Sequence, residues 1–342
     1  MESNPSVITM EKKFISELSE NQSVSDAFYV SFKRPVRQYS KGYMFEVRVG
    51  DSTGEIMVKY WGANNQEAVQ SIHDSIKDGD VALVTGAVRS FNGQLEIHAN
   101  PNEKRGIKRI GPEEYELDWF VAKTQKDVEA MYSELMDFAR SVDDPNLRRL
   151  LLHFFGEATF QKRFKICPAA IKHHGNVVGG LVEHTLAIVQ TCHSLSGTYP
   201  EIDRDLLIAG AMLHDIGKID VYEVTTNIHA TDQGRLMDHI FLGAEMIRGA
   251  LASFDGFPDI LAWKVVHMVL SSHNKREYGS PVEPMFPEAL ALSMVDDLEA
   301  RLDKMIRLMK NTRTDDDWTY RDDVGSVYLK GSKARTKVSP GP

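Results

Sequence analysis

Between residues 173 and 297 the chain carries His184, the adjacent pair His214-Asp215, His239, His273 and Asp296, in that order. Neutral imidazole and carboxylate bind borderline divalent cations such as manganese, iron, cobalt or zinc, and six such groups suffice for two ions. The chemistry expected of them is metal-assisted hydrolysis at phosphorus. A single histidine on an apolar helix face is usually a core residue whose ring is satisfied by a carbonyl. Several inward polar groups left unpaired would cost roughly 1–3 kcal/mol each, more for the carboxylates, so a shared cation explains the set best.

The neighbouring residues put each ligand on an inward helix face. Leu181, Ile188 and Cys192 share helical spacing with His184. In LLIAGAMLHDIGK, Leu207 and Gly210 lead into His214, and Asp215 follows about 100° round the helix. Gly217 then marks the helix end and Lys218 starts a loop. His239 stands over Leu242, Gly243 and Met246, and Asp296 follows Ala289 and Leu292 on one stripe.

Length and composition frame these elements. A chain of 342 residues with 42% hydrophobic content fits two domains with a sizeable core. No apolar run is long enough for a membrane span, MESNPSVITMEKK lacks the apolar stretch of a signal peptide, and Cys167 and Cys192 are too few for a disulfide framework. The expectation is a reducing cytoplasm. A net charge of −9 appears unfavourable for a polyanionic substrate, but residues 28–110 hold twelve Lys or Arg against nine Asp or Glu, a local +3.

That basic segment reads as short strands. Phe45, Val47 and Val49 alternate before Asp51-Ser-Thr-Gly54, Ile56, Val58 and Tyr60 alternate after it, VALVTGAV follows Gly79-Asp80, and Asn92-Gly93 closes a hairpin. Five strands in about eighty residues predict a small barrel. DSTGEIMVKYW followed by GDVALVTGAV resembles the OB-fold of nucleic-acid-binding proteins. Bases stack on rings while phosphates pair with cations, so the candidate nucleic-acid contacts are Phe32, Lys33, Arg34, Arg37, Tyr43, Arg48, Lys59, Trp61, Arg89 and Phe91.

Glycine, proline and a charge run mark a linker near residues 101–120. Beyond it, Val128, Met131, Leu135, Phe138 and Val142 space as one amphipathic face, and Pro145 opens a helix carrying Leu147, Leu150, Leu151 and Phe154. The last dozen residues, GSKARTKVSPGP, are polar and aperiodic, which predicts a disordered tail.

The segments GGLVEHT, AMLHDIGK, DHIFLGAEMI, EYGSPVEP and ALSMVDDLEAR resemble the signature segments of the HD phosphohydrolase superfamily. With the barrel ahead of them, the chain from about residue 25 to about 330 most resembles the YhaM-type 3′-5′ exoribonucleases, which join an OB-fold to an HD domain. The fold class expected is therefore multidomain α and β, a five-stranded OB-fold β-barrel followed by an all-α HD domain. Its segments would be 1–24 as an N-terminal extension, 25–110 as the barrel, 111–160 as linker and helical connector, 161–312 as the HD domain, and 313–342 as a partly disordered end.

The resemblance implies a metal-dependent 3′-5′ exonuclease that degrades single-stranded RNA to nucleoside 5′-monophosphates, with DNA left open as a substrate and the protein expected to be a homo-oligomer. His184, His214, Asp215 and Asp296 would hold one divalent ion, manganese first among manganese, iron, cobalt and magnesium. Asp215 would bridge to a second held by His239 and His273. Lys218 would stabilise charge on the phosphoryl oxygens, His173 and His174 match a histidine-rich family segment near the substrate, and Arg276 and Tyr278 are weaker substrate contacts. Where the family reads His-His-Gly, this chain has Ser272-His273-Asn274. His273 then aligns with the second family histidine, one histidine is missing, and one or two ions both stay open, with His267 as an alternative donor. Two other readings compete: a phosphohydrolase of small nucleotides or phosphate esters, and a nucleic-acid-binding regulator with a degenerate HD site.

Overall fold

The computed structural model describes residues 12–100, 106–170, 177–312, 314, 316–322 and 324–330. It divides into two compact units, Met1–Lys123 with Val224–His229, and Thr124–Glu223 with Ala230–Pro342.

The first unit contains β1 (Ser23–Lys33), β2 (Arg37–Tyr39), β3 (Gly42–Asp51), β4 (Gly54–Trp61), α1 (Gln66–Ser75), β5 (Val81–Phe91), β6 (Gln94–Ala99) and β7 (Gly106–Ile110). β1 pairs antiparallel with β3 and β5, β3 with β4, and β5 with β6, while β4 and β6 run parallel. Those five strands close into a ring, which leaves none of them an unpaired edge. Their inward residues follow the period of two: Phe45, Val47 and Val49 on β3, and Ile56, Val58 and Tyr60 on β4, join Phe28, Val30, Val84 and Ile97 in one core. Each such burial is worth about 1.5–3 kcal/mol relative to exposure. Asn92 and Gly93 sit at φ 47° and 78°, the left-handed pair that a two-residue hairpin turn requires.

Three elements depart from the sequence reading. β2 adds to β3. β7 arises in the expected linker, where Ile107 and Ile110 are buried as the strand pairs with β5. Between β4 and β5 lies α1, capped by the Asn65 side chain accepting from the Ala68 N–H at 3.0 Å. Its inward residues are only Val69 and Ile72, too sparse to read as a helical stripe.

The second unit is helical: α2 (Val128–Arg140), α3 (Pro145–Phe155), α4 (Ala158–Ile166), α5 (Gly180–Thr198), α6 (Arg204–Leu213) and α7 (Lys218–Val221) come first. A short hairpin of β8 (Tyr222–Val224) and β9 (Ile228–Ala230), whose Val224–His229 stretch is assigned to the first unit, leads into α8 (Asp232–Met237), α9 (His239–Ala252), α10 (Asp259–Leu270) and α11 (Pro287–Asn311), and β10 (Trp318–Arg321) pairs with β11 (Gly325–Tyr328). Asp127, Asp144 and Glu157 cap α2, α3 and α4 through their carboxylates. Met131, Leu135, Leu147, Leu150, Leu151 and Phe154 of α2 and α3 belong to the same core as α5, α6 and α9, so the helices expected as a connector are an integral layer of this unit. Cys167 and Cys192 are free and buried in that core. No described helix is long and apolar enough to cross a membrane, and the tail segment 331–342 lies outside the described residues.

Candidate metal centre and nucleic-acid face

α6 is buried from Leu206 to Leu213 and ends there, four residues before Gly217, where the sequence reading ended it. A tight turn carries His214 and Asp215, and Lys218 opens α7 instead of a loop. The turn and the start of α9 touch through backbone: a Cβ on Gly217 would lie 2.1 Å from the His239 carbonyl oxygen and 2.5 Å from the Gly243 nitrogen. Gly217 has φ −62°, which any residue adopts, so it is space that demands glycine here. α9 opens at Asp238, in an uncommon backbone conformation at φ 63°, with its carboxylate accepting from the Ile240 N–H. His239 is the first helical residue, and His273 follows α10 in a turn.

All six expected ligands converge. His184 Nε2 lies 3.3 Å from His214 Nε2, 3.4 Å from Asp215 Oδ2 and 3.2 Å from Asp296 Oδ1. His214 Nε2 is 3.3 Å from Asp215 Oδ2 and 3.8 Å from Asp296 Oδ1. On the other side, His239 Nε2 is 3.5 Å from Asp215 Oδ1 and 3.3 Å from His273 Nε2. Asp215 therefore turns one oxygen to each imidazole pair. His184, His214 and Asp215 by themselves have donor atoms close enough to share one ion.

Each ring's outer nitrogen has an acceptor: Glu299 Oε2 at 2.8 Å for His184, the Ala211 carbonyl at 2.9 Å for His214, Asp238 Oδ1 at 2.7 Å for His239, and the Tyr278 carbonyl at 3.2 Å for His273. Such partners place the ring proton on Nδ1 and leave an inward Nε2 lone pair, as metal-binding histidines require. The field inside favours positive charge. Burial opposes charge on His184, yet Asp215, Asp296 and Glu299 outweigh it and hold its pKa well above the ordinary value. Burial likewise opposes ionisation of Asp215, but Lys218, His214 and His184 keep it far below the usual carboxylate range, and Asp296 is lowered against burial by His184 and His214. Four imidazoles and two ionised carboxylates are a donor set that fits a divalent metal cation, which would take the place of the proton on His184.

Lys218 places its Nζ 2.5 Å from Asp215 Oδ2, and that carboxylate overcomes burial to hold the lysine above its ordinary pKa. His267 does not replace the missing histidine. Its Nε2 accepts from the Met285 N–H at 3.2 Å and its ring lies against Phe286. Ser272, in the vacated position, is 1% exposed and its Oγ has no hydrogen-bond partner among the described residues. A cavity of about 330 Å³ opens beside the ligands, with Ser272, Asn274, Tyr278 and α11 among its walls; Arg276 does not line it. His173 and His174 fall outside the described residues. The sequence reading missed the four ring acceptors, two of which are backbone carbonyls.

On the barrel, the outward face gathers eight of the ten expected contacts. Arg34 and Arg37 share Glu46 at 2.6 and 2.9 Å, Arg48 lies over the Phe32 ring at 5.1 Å, and Lys59 lies over Phe91 at 4.7 Å while bonding Glu96 at 2.7 Å. Arg89 bonds Asn21, and Trp61 packs on Tyr39 and His98 with its indole N–H unpartnered among the described residues. Tyr39 and His98 are additions to the expected set. Lys33 is a correction, and Tyr43 is only partly available. A bulge between Val30 and Phe32 reverses the alternation, so Lys33 faces inward opposite Val47 and donates at 2.5 Å to the carbonyls of His73 and Ile76, where it caps α1. Tyr43 packs partly on the barrel core.

Comparison with known proteins agrees with both halves. Residues 29–101 match the model of an OB-fold nucleic acid binding domain, and residues 181–301, which include all six expected ligands, match the HD domain. Among solved structures, the second OB-fold domain of replication protein A from Methanococcus maripaludis is similar at 27% identity and TM-score 0.24, covering 29% of this chain and 94% of that domain. A crystal structure of a domain of the same protein gives 28%, 0.24, 30% and 98%. Pot1pC of Schizosaccharomyces pombe, solved bound to single-stranded DNA, gives 16% and 0.23, covering 31% of this chain and 90% of that one. HD domains are metal-dependent phosphohydrolases, and OB-folds bind single-stranded nucleic acid. The chain thus joins an N-terminal OB-fold domain of the nucleic-acid-binding kind to a C-terminal HD domain.

Proposed function

We propose that the protein is a metal-dependent 3′-5′ exonuclease that hydrolyses single-stranded RNA to nucleoside 5′-monophosphates, with single-stranded DNA as a substrate to be compared. The observation that carries this reading is Asp215, whose two oxygens face separate imidazole pairs in a chain that also presents an OB-fold face of rings and cations. His184, His214, Asp215 and Asp296 would hold one divalent ion, and Asp215, His239 and His273 a second. When bound, such ions lower the pKa of water and neutralise charge on phosphoryl oxygens.

The chain's own groups orient and balance that chemistry. Glu299, Asp238 and two carbonyls fix the rings, and Lys218 keeps Asp215 ionised while adding fixed positive charge where phosphoryl charge grows. Water oxygen bonds to the terminal phosphorus, the bond from phosphorus to the 3′ oxygen of the preceding nucleotide breaks, and that oxygen takes up a proton. On the barrel, Phe32, Trp61 and Phe91 would stack bases while Arg34, Arg37, Arg48, Lys59 and Arg89 meet phosphates. His173 and His174 would bind the scissile phosphate, as the family resemblance implies. That resemblance is also the ground for 3′-to-5′ polarity. A reducing cytoplasmic setting and self-association complete the reading, the latter scored by sedimentation velocity.

A hydrolase of free nucleotides would use the same cavity, and chain-length dependence separates the two. The test is one single-stranded RNA, labelled at the 5′ end or the 3′ end, with manganese, cobalt, iron(II) and magnesium. The 5′ label should give a shortening ladder and the 3′ label a mononucleotide from the outset. Cutting of a circular RNA would refute an exonuclease.

A further inference from the structure

We infer that the outer face of α11 is where two copies of this chain meet, as an isologous pair built on one row of apolar side chains. This rests on the self-association proposed above, to which it gives a surface, and not on the exonuclease reading. Leu290, Met294, Leu298, Leu302 and Ile306 follow one another at every fourth position of α11, Met305 lies beside them, and each is between 38% and 51% exposed. The inward side of the helix is already engaged: Ala289, Leu292 and Val295 enter the core, while Asp296 and Glu299 meet the His184 ring. Charged and polar residues normally cover the outward side of such a helix. Six half-open Leu, Met and Ile side chains instead amount to roughly 500 Å², toward the upper end of the apolar patches that monomers leave in water.

The shape and charge of this row select a second copy as its occupant. Side chains four apart form a ridge inclined to the helix axis, and two such ridges interdigitate with their helices crossed at about 50° and about 8–10 Å apart. The spacing reads the same from either end about Leu298. A two-fold axis there sets Leu298 against itself, Met294 against Leu302 and Leu290 against Ile306. At a rise of about 1.5 Å per residue the row is about 24 Å long, and two copies of the patch bury about 1,000 Å² of apolar surface, which is what a specific interface needs. The rim carries both signs: Asp297 accepts from Arg301 Nε at 2.8 Å, and Lys304 lies one turn on. The same two-fold brings Arg301 of one copy within reach of Asp297 of the other, whereas a partner of a single sign, or an anionic membrane, would match only half of that rim. A hollow of about 350 Å³ beside the row, between Asp297, Arg301, Met305 and Val324, gives a partner side chain a place to enter.

Sedimentation velocity of the full chain at micromolar concentration should show a dimer or a multiple of one. Leu298→Glu sets two carboxylates against each other at the centre and should raise the dissociation constant by about 100-fold or more, with circular dichroism unchanged because the side chain is half exposed. Disulfide trapping reads the register. Under mild oxidation Leu298→Cys should cross-link to itself, while Leu290→Cys and Ile306→Cys should cross-link when mixed and far less when each is alone. Cys167 and Cys192 are buried and do not compete. A dimer that is unmoved by Leu298→Glu and not trapped by Leu298→Cys overturns this face and leaves self-association standing on another surface. A monomer at every concentration overturns both, whether Leu298→Cys then reacts freely with a thiol reagent or is shielded by another segment of the chain. Neither result bears on hydrolysis, which the labelled RNAs test separately.

Discussion

Replacing Gly217 with alanine adds a single methyl group, yet it should disable half of the metal centre. The new carbon would lie 2.1 Å from the His239 carbonyl oxygen and 2.5 Å from the Gly243 nitrogen, both backbone atoms of α9. A carbon and a carbonyl oxygen rest about 3.3–3.6 Å apart, so the start of α9 and the 214–217 turn must separate by roughly 1 Å. His239 rides on that first turn, 3.5 Å from Asp215 and 3.3 Å from His273. Metal–ligand distances tolerate only about 0.2 Å. We expect overpacking to cost about 1–3 kcal/mol, seen as a drop of roughly 2–10 °C in the melting of the helical unit. Bound manganese should fall on the His239–His273 side, and hydrolysis by on the order of 100-fold, the penalty typical of a 1 Å misplacement. RNA binding by the barrel, measured in chelator, should not change. A Gly217→Ala protein with wild-type manganese content and rate would refute the idea that this close approach sets the position of His239.

Asp215→Ala should abolish hydrolysis and lower bound metal on both sides while the fold survives, checked by elemental analysis and circular dichroism; retention of a tenth of the activity would contradict the bridging arrangement. Glu299→Gln should weaken manganese binding about 10- to 100-fold in a chelator competition, because His184 loses the carboxylate that orients its ring. Lys33→Met should destabilise the barrel by about 2 kcal/mol, since two carbonyls lose a charged donor, and spare RNA binding; Lys59→Met should reduce the salt slope of RNA binding by about 1. For pH, burial would raise the Glu96 carboxyl, but Lys59 and His98 outweigh it and hold it below the ordinary value. That group stabilises the barrel above the unfolded carboxylate pKa and loses its contribution as pH falls through the lower folded value, so Glu96→Gln should flatten the acid limb of barrel melting.

Of the six candidate ligands, His184, His239 and Asp296 were legible because each sits in a helix whose apolar spacing fixes an inward face, whereas His214, Asp215 and His273 lie in turns and were reached through the signature segments. The groups that aim them were not. Glu299 looks like an ordinary acidic residue late in a helix, and the Ala211 and Tyr278 carbonyls have no side-chain signature at all. Gly217 was read as a helix stop, but its reason is contact with a segment more than twenty residues away. On the barrel, alternation located β3 and β4 and the Asn92-Gly93 turn, while the bulge after Val30, which moves Lys33 indoors, depends on pairing with β3 and leaves no local trace. α1 and β7 were missed for a related reason: two or three apolar residues carry each, and tertiary contact supplies the rest.

The six ligands also come from elements that meet only after the helical core has assembled: α5, the turn after α6, α9, the turn after α10, and α11. An unfolded chain scatters them, so a cation has almost nothing to chelate there, and every increment of affinity becomes resistance to unfolding in the helical unit alone. Free manganese at about a hundred times its dissociation constant would add about 2.7 kcal/mol. The barrel contributes none of the six candidate ligands. Cation availability is thus expected to act as a selective thermostat that softens the ligand-bearing unit when scarce, and under the proposed function it would turn a strand-cutting protein into one that only binds its strand.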